Sequence, residues 1–251
     1  DKSGQKVFYT ANAEKPINRN VYSTDIKSGK TNKLTSGDGV HKPTLNGTGE
    51  FLFDEWSGPG VPKKVSILNA SGKKMREIMN APDPLKEFTP VKRDIFTIKS
   101  ESGEDLYCRI IKPSNFDSTK VYPVIVYVYG GPGVQLISNN WLGGSDLWMM
   151  YMAQRGFIIF TLENRGTPAR GKAFEQATFR NLGDLETADQ LAGVKHLMKL
   201  NYIDKQRMGI YGWSYGGFMS ISMMTRNPGI FKAAVAGGPV IDWSYYEVMY
   251  T

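Results

Sequence analysis

The apolar positions of this chain change rhythm near residue 90. Before that point they come in short β-type runs, Val7–Tyr9, Val21–Thr24, Phe51–Phe53 and Val65–Leu68. Between the runs, Lys27-Ser28-Gly29-Lys30 and Asn69-Ala70-Ser71-Gly72 combine small polar residues with glycine, the composition of hairpin turns. The pattern predicts antiparallel β-structure without a helix. After residue 90, near-continuous apolar runs alternate with helical periodicity. Val121–Tyr129, Gly156–Thr161 and Lys232–Ala236 read as strands covered on both faces. Leu185, Ala188, Leu191, Val194 and Leu197 recur every three residues across 183–200 and predict one apolar helix face. Strand–helix alternation about a doubly covered sheet is an α/β layer architecture.

A weak internal repeat bears on the first part. Ser28-Gly29-Lys30 and Ser71-Gly72-Lys73 lie 43 positions apart, within the roughly 40–50-residue period of four-stranded propeller blades. We therefore expect residues 1–80 to be the end of a β-propeller, about two blades, and the chain to have been cut from something longer. The proline-rich stretch 81–91 reads as a linker, and 92–251 as the α/β part.

Composition adds bounds. With 251 residues, 41% hydrophobic and 22% charged, the chain can bury one or two ordinary cores. No stretch approaches the roughly 20 apolar residues of a membrane span. The net charge of +7 is spread among interleaved acidic residues, with no basic cluster carrying alternating aromatics, so nucleic acid is not an expected partner. The single Cys108 sits in a strand-like run and reads as a small buried side chain. No His/Cys/carboxylate cluster has metal-ligand spacing and no phosphate loop is present, so no cofactor is implied. The N-terminal Asp1-Lys2-Ser3-Gly4 has no basic-then-apolar leader.

The most informative stretch is Gly212-Trp213-Ser214-Tyr215-Gly216-Gly217. The run 207–211 suits a buried strand, and 218–225 suits a helix stopped by Asn227-Pro228-Gly229. A serine between them would sit on a sharp strand-to-helix turn, where glycines let strand and helix approach closely and the helix N-terminus faces the reacting centre. The pattern is short, and an ordinary glycine-rich turn is its bland counterpart. A second glycine stretch, Tyr129-Gly130-Gly131-Pro132-Gly133, directly follows the first buried strand, at the carboxyl edge where α/β sites are built. It is either a tight loop or a donor site, with the Tyr129 hydroxyl and the Tyr215 amide facing a developing oxyanion.

Together with Glu163-Asn164-Arg165-Gly166, Leu182-Gly183-Asp184-Leu185-Glu186 and Asp242-Trp243-Ser244-Tyr245-Tyr246, these stretches resemble the prolyl oligopeptidase family, in particular its dipeptidyl peptidase IV and prolyl tripeptidyl peptidase branch. The resemblance is strong from about residue 92 and loose over 1–80. It implies an incomplete, N-terminal part of an α/β-hydrolase domain preceded by terminal propeller blades. Ser214 would be the nucleophile, and Tyr129 with the Tyr215 amide the oxyanion hole. Val240, Trp243, Tyr246, Tyr250 and the Tyr215 ring would wall the S1 pocket, aromatic faces suited to a pyrrolidine ring; on spacing alone the Trp243–Tyr250 aromatics read as an ordinary half-buried helix start.

The fold's triad order places an Asp and a His after the nucleophile, yet the histidines are His41 and His196. His196 reads as a partly exposed helical residue. The resemblance implies an acidic pair binding the substrate's N-terminus; Asp54-Glu55 is acidic but lies in the wrong part of the repeat order. Glu163, where relatives often carry Asp, reads as loop support. By the same resemblance the parent enzyme is expected to be a homodimer and extracytoplasmic, periplasmic or secreted.

Two classes of function follow. One is a serine exopeptidase releasing dipeptides, or tripeptides, from peptide N-termini after proline or alanine through an acyl-enzyme. In that case this chain, lacking the triad Asp and His, is inactive alone. The other is a non-catalytic binding or structural fragment. Within hydrolases, an acylaminoacyl peptidase or esterase is the further alternative.

Overall fold

The computed structural model describes residues 4–247. Its contacts group into two compact units, Asp1–Phe88 with Ser138–Gly144, and Thr89–Ile137 with Ser145–Thr251.

The first unit holds two antiparallel sheets, and among its described residues there is no α-helix. One sheet is β1 (Lys6–Ala11), β2 (Asn20–Asp25) and β3 (Thr31–Lys33); the other is β4 (Val40–Leu45), β5 (Phe51–Gly58), β6 (Val61–Asn69) and β7 (Lys74–Asn80), in sequential order. Four antiparallel neighbours joined by hairpins are the arrangement of a propeller blade. Val21, Leu34, Leu52 and Leu68 form the core. The two Ser-Gly-Lys repeats close equivalent last hairpins, β2–β3 and β6–β7, with Gly29 at φ 71° and Gly72 at φ 85°. At Gly72 a Cβ would also strike the Leu34 backbone, so the turn needs glycine on two counts. β3, β4 and β7 have no apolar alternation to announce them: β7 is exposed at every position and β4 carries Pro43 on the sheet's edge.

The second unit is built on one six-stranded sheet, β8 (Lys92–Lys99), β9 (Asp105–Lys112), β10 (Tyr122–Tyr127), β11 (Ile158–Leu162), β12 (Ile203–Trp213) and β13 (Ala233–Gly237), in the order β13-β12-β10-β11-β9-β8. The β8–β9 hairpin joins antiparallel to β11, and the remaining pairs are parallel. The helices are α1 (Leu147–Gln154), α2 (Lys172–Glu175), α3 (Asp184–Leu197) and α4 (Tyr215–Arg226). α1, α3 and α4 make the crossovers, and their order fixes which strand ends converge. Val124, Val126 and Val128 pack with Phe160, Leu162, Val194, Leu197, Met219 and Met223 in one core, each such burial contributing about 1.5–3 kcal/mol.

Two elements differ from the sequence expectation. β13 runs along the edge of the sheet with its first three residues exposed rather than covered on both faces. In α3, Leu185, Ala188 and Leu191 are half-buried, whereas Glu186, Thr187, Asp189, Gln190, Gly193, Val194 and Leu197 are buried. The helix turns its polar face inward because Glu186, Asp189 and Gln190 each have a partner, described below, and the Thr187 hydroxyl donates to the Gly183 carbonyl.

Candidate active site

β10, β11, β12 and β13 all deliver their carboxyl ends to the same edge of the sheet. β12 leads directly into α4, and Ser214 is the residue between them, at φ 57° and ψ −118°. That is strained geometry for a serine, of the kind concentrated at functional sites. Hydrogen bonds on both sides hold it. The Ser214 amide donates to the Gly237 carbonyl at 2.8 Å, and the Ser214 carbonyl accepts from the Gly217 amide at 2.9 Å and the Phe218 amide at 3.1 Å. The flanking glycines are sterically compelled. A Cβ on Gly212 would run into the Gly216 carbonyl, and one on Gly216 would strike the Val128 carbonyl and lie 3.1 Å from the Tyr129 Cα.

That second contact brings the other sequence-predicted stretch to the site. Tyr129 follows β10, its backbone lying against the first turn of α4, and its ring sits 6.0 Å from that of Tyr215. Gly130 turns the chain at φ 75°, and Gly131 is pressed onto the Tyr215 ring so closely that no Cβ would fit. Tyr215 itself is buried, with its hydroxyl donating to Glu186 Oε1 at 2.5 Å.

On the other side, Tyr215 and Phe218 pack against Trp243, at ring separations of 5.5 and 5.3 Å, and Trp243 meets Tyr246 edge-on at 5.7 Å. Trp243 lies in a short 3-10 turn, Trp243–Tyr245, capped by Asp242, whose carboxylate accepts from the Ser244 amide and hydroxyl. Val240 is half-buried in the loop between β13 and that turn. Tyr250 lies outside the described residues. The structure thus brings Ser214, Tyr129, Tyr215, Trp243 and Tyr246 into one cluster.

The histidines are engaged otherwise. His41 Nδ1 pairs with Asp54 Oδ2 at 2.8 Å, both buried, beneath the Trp56 ring. His196, half-buried on the last turn of α3, packs on Phe96 of β8 at 5.6 Å. Glu55, the neighbour of Asp54, pairs with Lys63.

Of the polar residues beneath the cluster the sequence marks Glu163, as loop support, and not Arg109, Asp189 or Gln190. Glu163 is buried at the end of β11, and its carboxylate accepts from the Leu136 and Ile137 amides, tying down the chain after the Tyr129 loop. Burial raises its pKa. Nearby Arg109, fully buried and donating to the Leu136 carbonyl and Thr161, is lowered to about 10 by the same desolvation. Burial likewise raises the Glu186 carboxyl, and the Tyr215 hydrogen bond opposes it only in part. Glu186, Asp189 and Gln190, spaced three and four along a helix, were the available signal: one polar stripe between two buried strands.

Two family models match this chain, that of the prolyl oligopeptidase family over residues 145–251 and that of the dipeptidyl peptidase IV N-terminal region over residues 1–63. The chain belongs to the prolyl oligopeptidase family. Among curated members of the family, dipeptidyl peptidase 8 of Mus musculus is 31% identical over 263 residues, covering 100% of this chain and 29% of that protein. Dipeptidyl peptidase 4 of Trichophyton equinum is 31% identical over 260 residues, covering 100% and 33%. The crystal structure of Porphyromonas gingivalis dipeptidyl peptidase 4 superposes with a TM-score of 0.89 at 33% identity, covering 98% of this chain and 35% of its own. A Bacteroides ovatus structure described as a candidate dipeptidyl aminopeptidase IV gives 0.92 at 39% identity, covering 99% and 35%. This prolyl oligopeptidase family chain therefore spans about a third of the length of the relatives it matches, joining a β-propeller part to an α/β-hydrolase part.

Proposed function

We propose that the full-length protein carrying this chain is a serine exopeptidase that releases dipeptides, after proline or alanine, from peptides with a free N-terminus. The observation that carries the reading is Ser214, held at φ 57° on a strand-to-helix turn against the Tyr129 loop. Its hydroxyl attacks the scissile carbonyl carbon while a general base takes its proton. The oxyanion that forms is held by the Tyr129 hydroxyl and by the Tyr215 amide at the positive end of α4. Collapse expels the amine with the base's proton, leaving an acyl-Ser214 ester that water hydrolyses. The base is a histidine elsewhere in the full-length protein, since His41 is committed to Asp54 and His196 packs on Phe96. Tyr215, Trp243 and Tyr246 present the apolar aromatic corner that a proline ring fills, and to this wall we add Val240, from the half-buried loop before Trp243. We extend the reading to a homodimeric, extracytoplasmic enzyme, to be checked by the light-scattering mass of the full-length protein and by cell fractionation.

The engagement of both histidines also favours a second reading, a non-catalytic binding protein. One experiment separates them. Full-length protein is expected to hydrolyse Gly-Pro and Ala-Pro amides, and to lose turnover when the substrate amine is acylated. Ser214→Ala should lower kcat by several orders of magnitude, as removal of a triad nucleophile does. Protein inert toward every such amide while binding a macromolecule would leave the non-catalytic reading standing.

A further inference from the structure

A helix that buries Glu186, Asp189 and Gln190 sets three polar side chains where each would cost about 1–3 kcal/mol if unpaired. Each is paired, and each with a different loop of the candidate site. Glu186 Oε1 accepts from the Tyr215 hydroxyl at 2.5 Å, while Oε2 accepts from the Gly183 amide at 2.9 Å. Gln190 Nε2 donates to the Leu162 carbonyl at 3.0 Å and to Asn164 Oδ1 at 2.8 Å. Asn164, itself buried, passes the contact on, its Nδ2 donating to the Gly130 carbonyl at 2.8 Å. Asp189 holds Arg165 through three bonds of 2.7–2.9 Å.

The proposed oxyanion donors stand on two separate loops, one opening α4 and the other leaving β10. Their spacing is fixed only if both loops are tied to one rigid body. Glu186 and Gln190 are four residues apart, about 6 Å along the axis of one helix, and each reaches one of those loops. We infer that Glu186 and Gln190 are the positioning residues of the oxyanion site: Glu186 locks Tyr215 through its hydroxyl, and Gln190, through Asn164, locks the Gly130-Gly131 peptide that follows Tyr129. The inference rests on the reading of Ser214 as an acylating nucleophile and assigns roles to side chains that touch no substrate. The Tyr215 ring couples the two arms, because Gly131 lies directly on it.

The test uses full-length protein with Tyr215→Phe, Gln190→Met, Glu186→Ala and Glu186→Gln. Two rates are read: hydrolysis of a Gly-Pro amide, and phosphonylation of Ser214 by an alkyl fluorophosphonate, in which Ser214 Oγ displaces fluoride with the same donors and no peptide specificity. Tyr215→Phe and Gln190→Met should each lower kcat about 10- to 100-fold, as displaced catalytic groups do, with KM changed less than about threefold. Phosphonylation should slow in parallel while the melting transition stays cooperative. Glu186→Gln, whose amide oxygen still accepts from Tyr215, should recover most of what Glu186→Ala loses; if Glu186→Ala does not fold, the Tyr215→Phe rates decide that arm. Both rates within twofold of wild type in Tyr215→Phe and Gln190→Met would overturn the inference, and so would a raised KM at unchanged kcat. Wild-type protein that phosphonylates but cleaves no amide removes only the proposed substrate, and the variants are then judged on phosphonylation. Wild type inert to both removes the hydrolase reading and the inference with it.

Discussion

At the scale of single residues, the site is governed by what cannot fit. Gly131 is not at positive φ, so its need for glycine is steric: the Tyr215 ring occupies the space of a Cβ. Gly131→Ala must push the ring or the loop aside, at a cost of about 1–3 kcal/mol for overpacking, measurable by urea unfolding. The Asp189–Arg165 pair is the electrostatic counterpart. Asp189 is buried and Arg165 nearly so, and the hydrogen bonds that the guanidinium donates to Asp189 are the main reason the Arg165 pKa is raised. Asp189→Ala leaves that guanidinium without its partner, and we expect a loss of about 3 kcal/mol, toward the low end for breaking a buried pair because Arg165 keeps an edge toward water. Chemical denaturation of the single variant checks it, and a loss under 1 kcal/mol would show that the pair is effectively solvated.

At the scale of elements, the β8–β9 turn shows how local chemistry sets a pH response. Glu104 Oε2 accepts from the Ser100 hydroxyl at 2.6 Å and the Ser102 hydroxyl at 2.5 Å, and these bonds hold its pKa at about 2, down from 4.5. The charged form is the one the turn favours. Its contribution is therefore present above pH 4.5 and is lost as pH falls through about 2. A carboxyl-detected NMR titration of Ser100→Ala/Ser102→Ala should show Glu104 titrating back toward 4.5; an unmoved titration would mean the hydroxyls are not its cause. α3 carries the opposite lesson. Its apolar spacing is real, yet Leu185, Ala188 and Leu191 are only half-buried and Val194 and Leu197 alone are buried, while Glu186, Asp189 and Gln190 are buried throughout, because hydrogen-bonded polar side chains let a helix bury either face.

At the scale of the whole molecule, the sheet of the second unit is covered unevenly. Ile125, Trp148, Met208, Tyr211 and Val235 line an apolar groove of about 690 Å³, and Val235 is 60% exposed on the edge strand β13. An open apolar face beside an unpaired strand edge invites association. The 251-residue chain expressed by itself is expected to bind an apolar dye and to self-associate, and Val235→Lys should suppress both. Light scattering across a concentration series reads the outcome. A monomer at all concentrations with no dye bound would show that the face is covered in solution.

The sequence alone determined the elements with a strong local signal. The β-runs before residue 80, the α/β alternation after it, the Ser214 turn and the Tyr129 loop were legible because period, turn chemistry and glycine placement are properties of neighbouring residues. Strands without alternation, β4 and β7, left no such trace. Which groups meet across 29 residues, as the Tyr215 and Glu186 side chains do, or across 34, as the Gly130 carbonyl and Asn164 do, was decided by tertiary structure. The same holds for Gly131, where only the folded chain shows what fills the space beside it. Strand order sets which carboxyl ends converge, and convergence turns a polar helix face into the buried frame of a site. No local pattern encodes that, since a glutamate at the same helical spacing would serve equally well facing water.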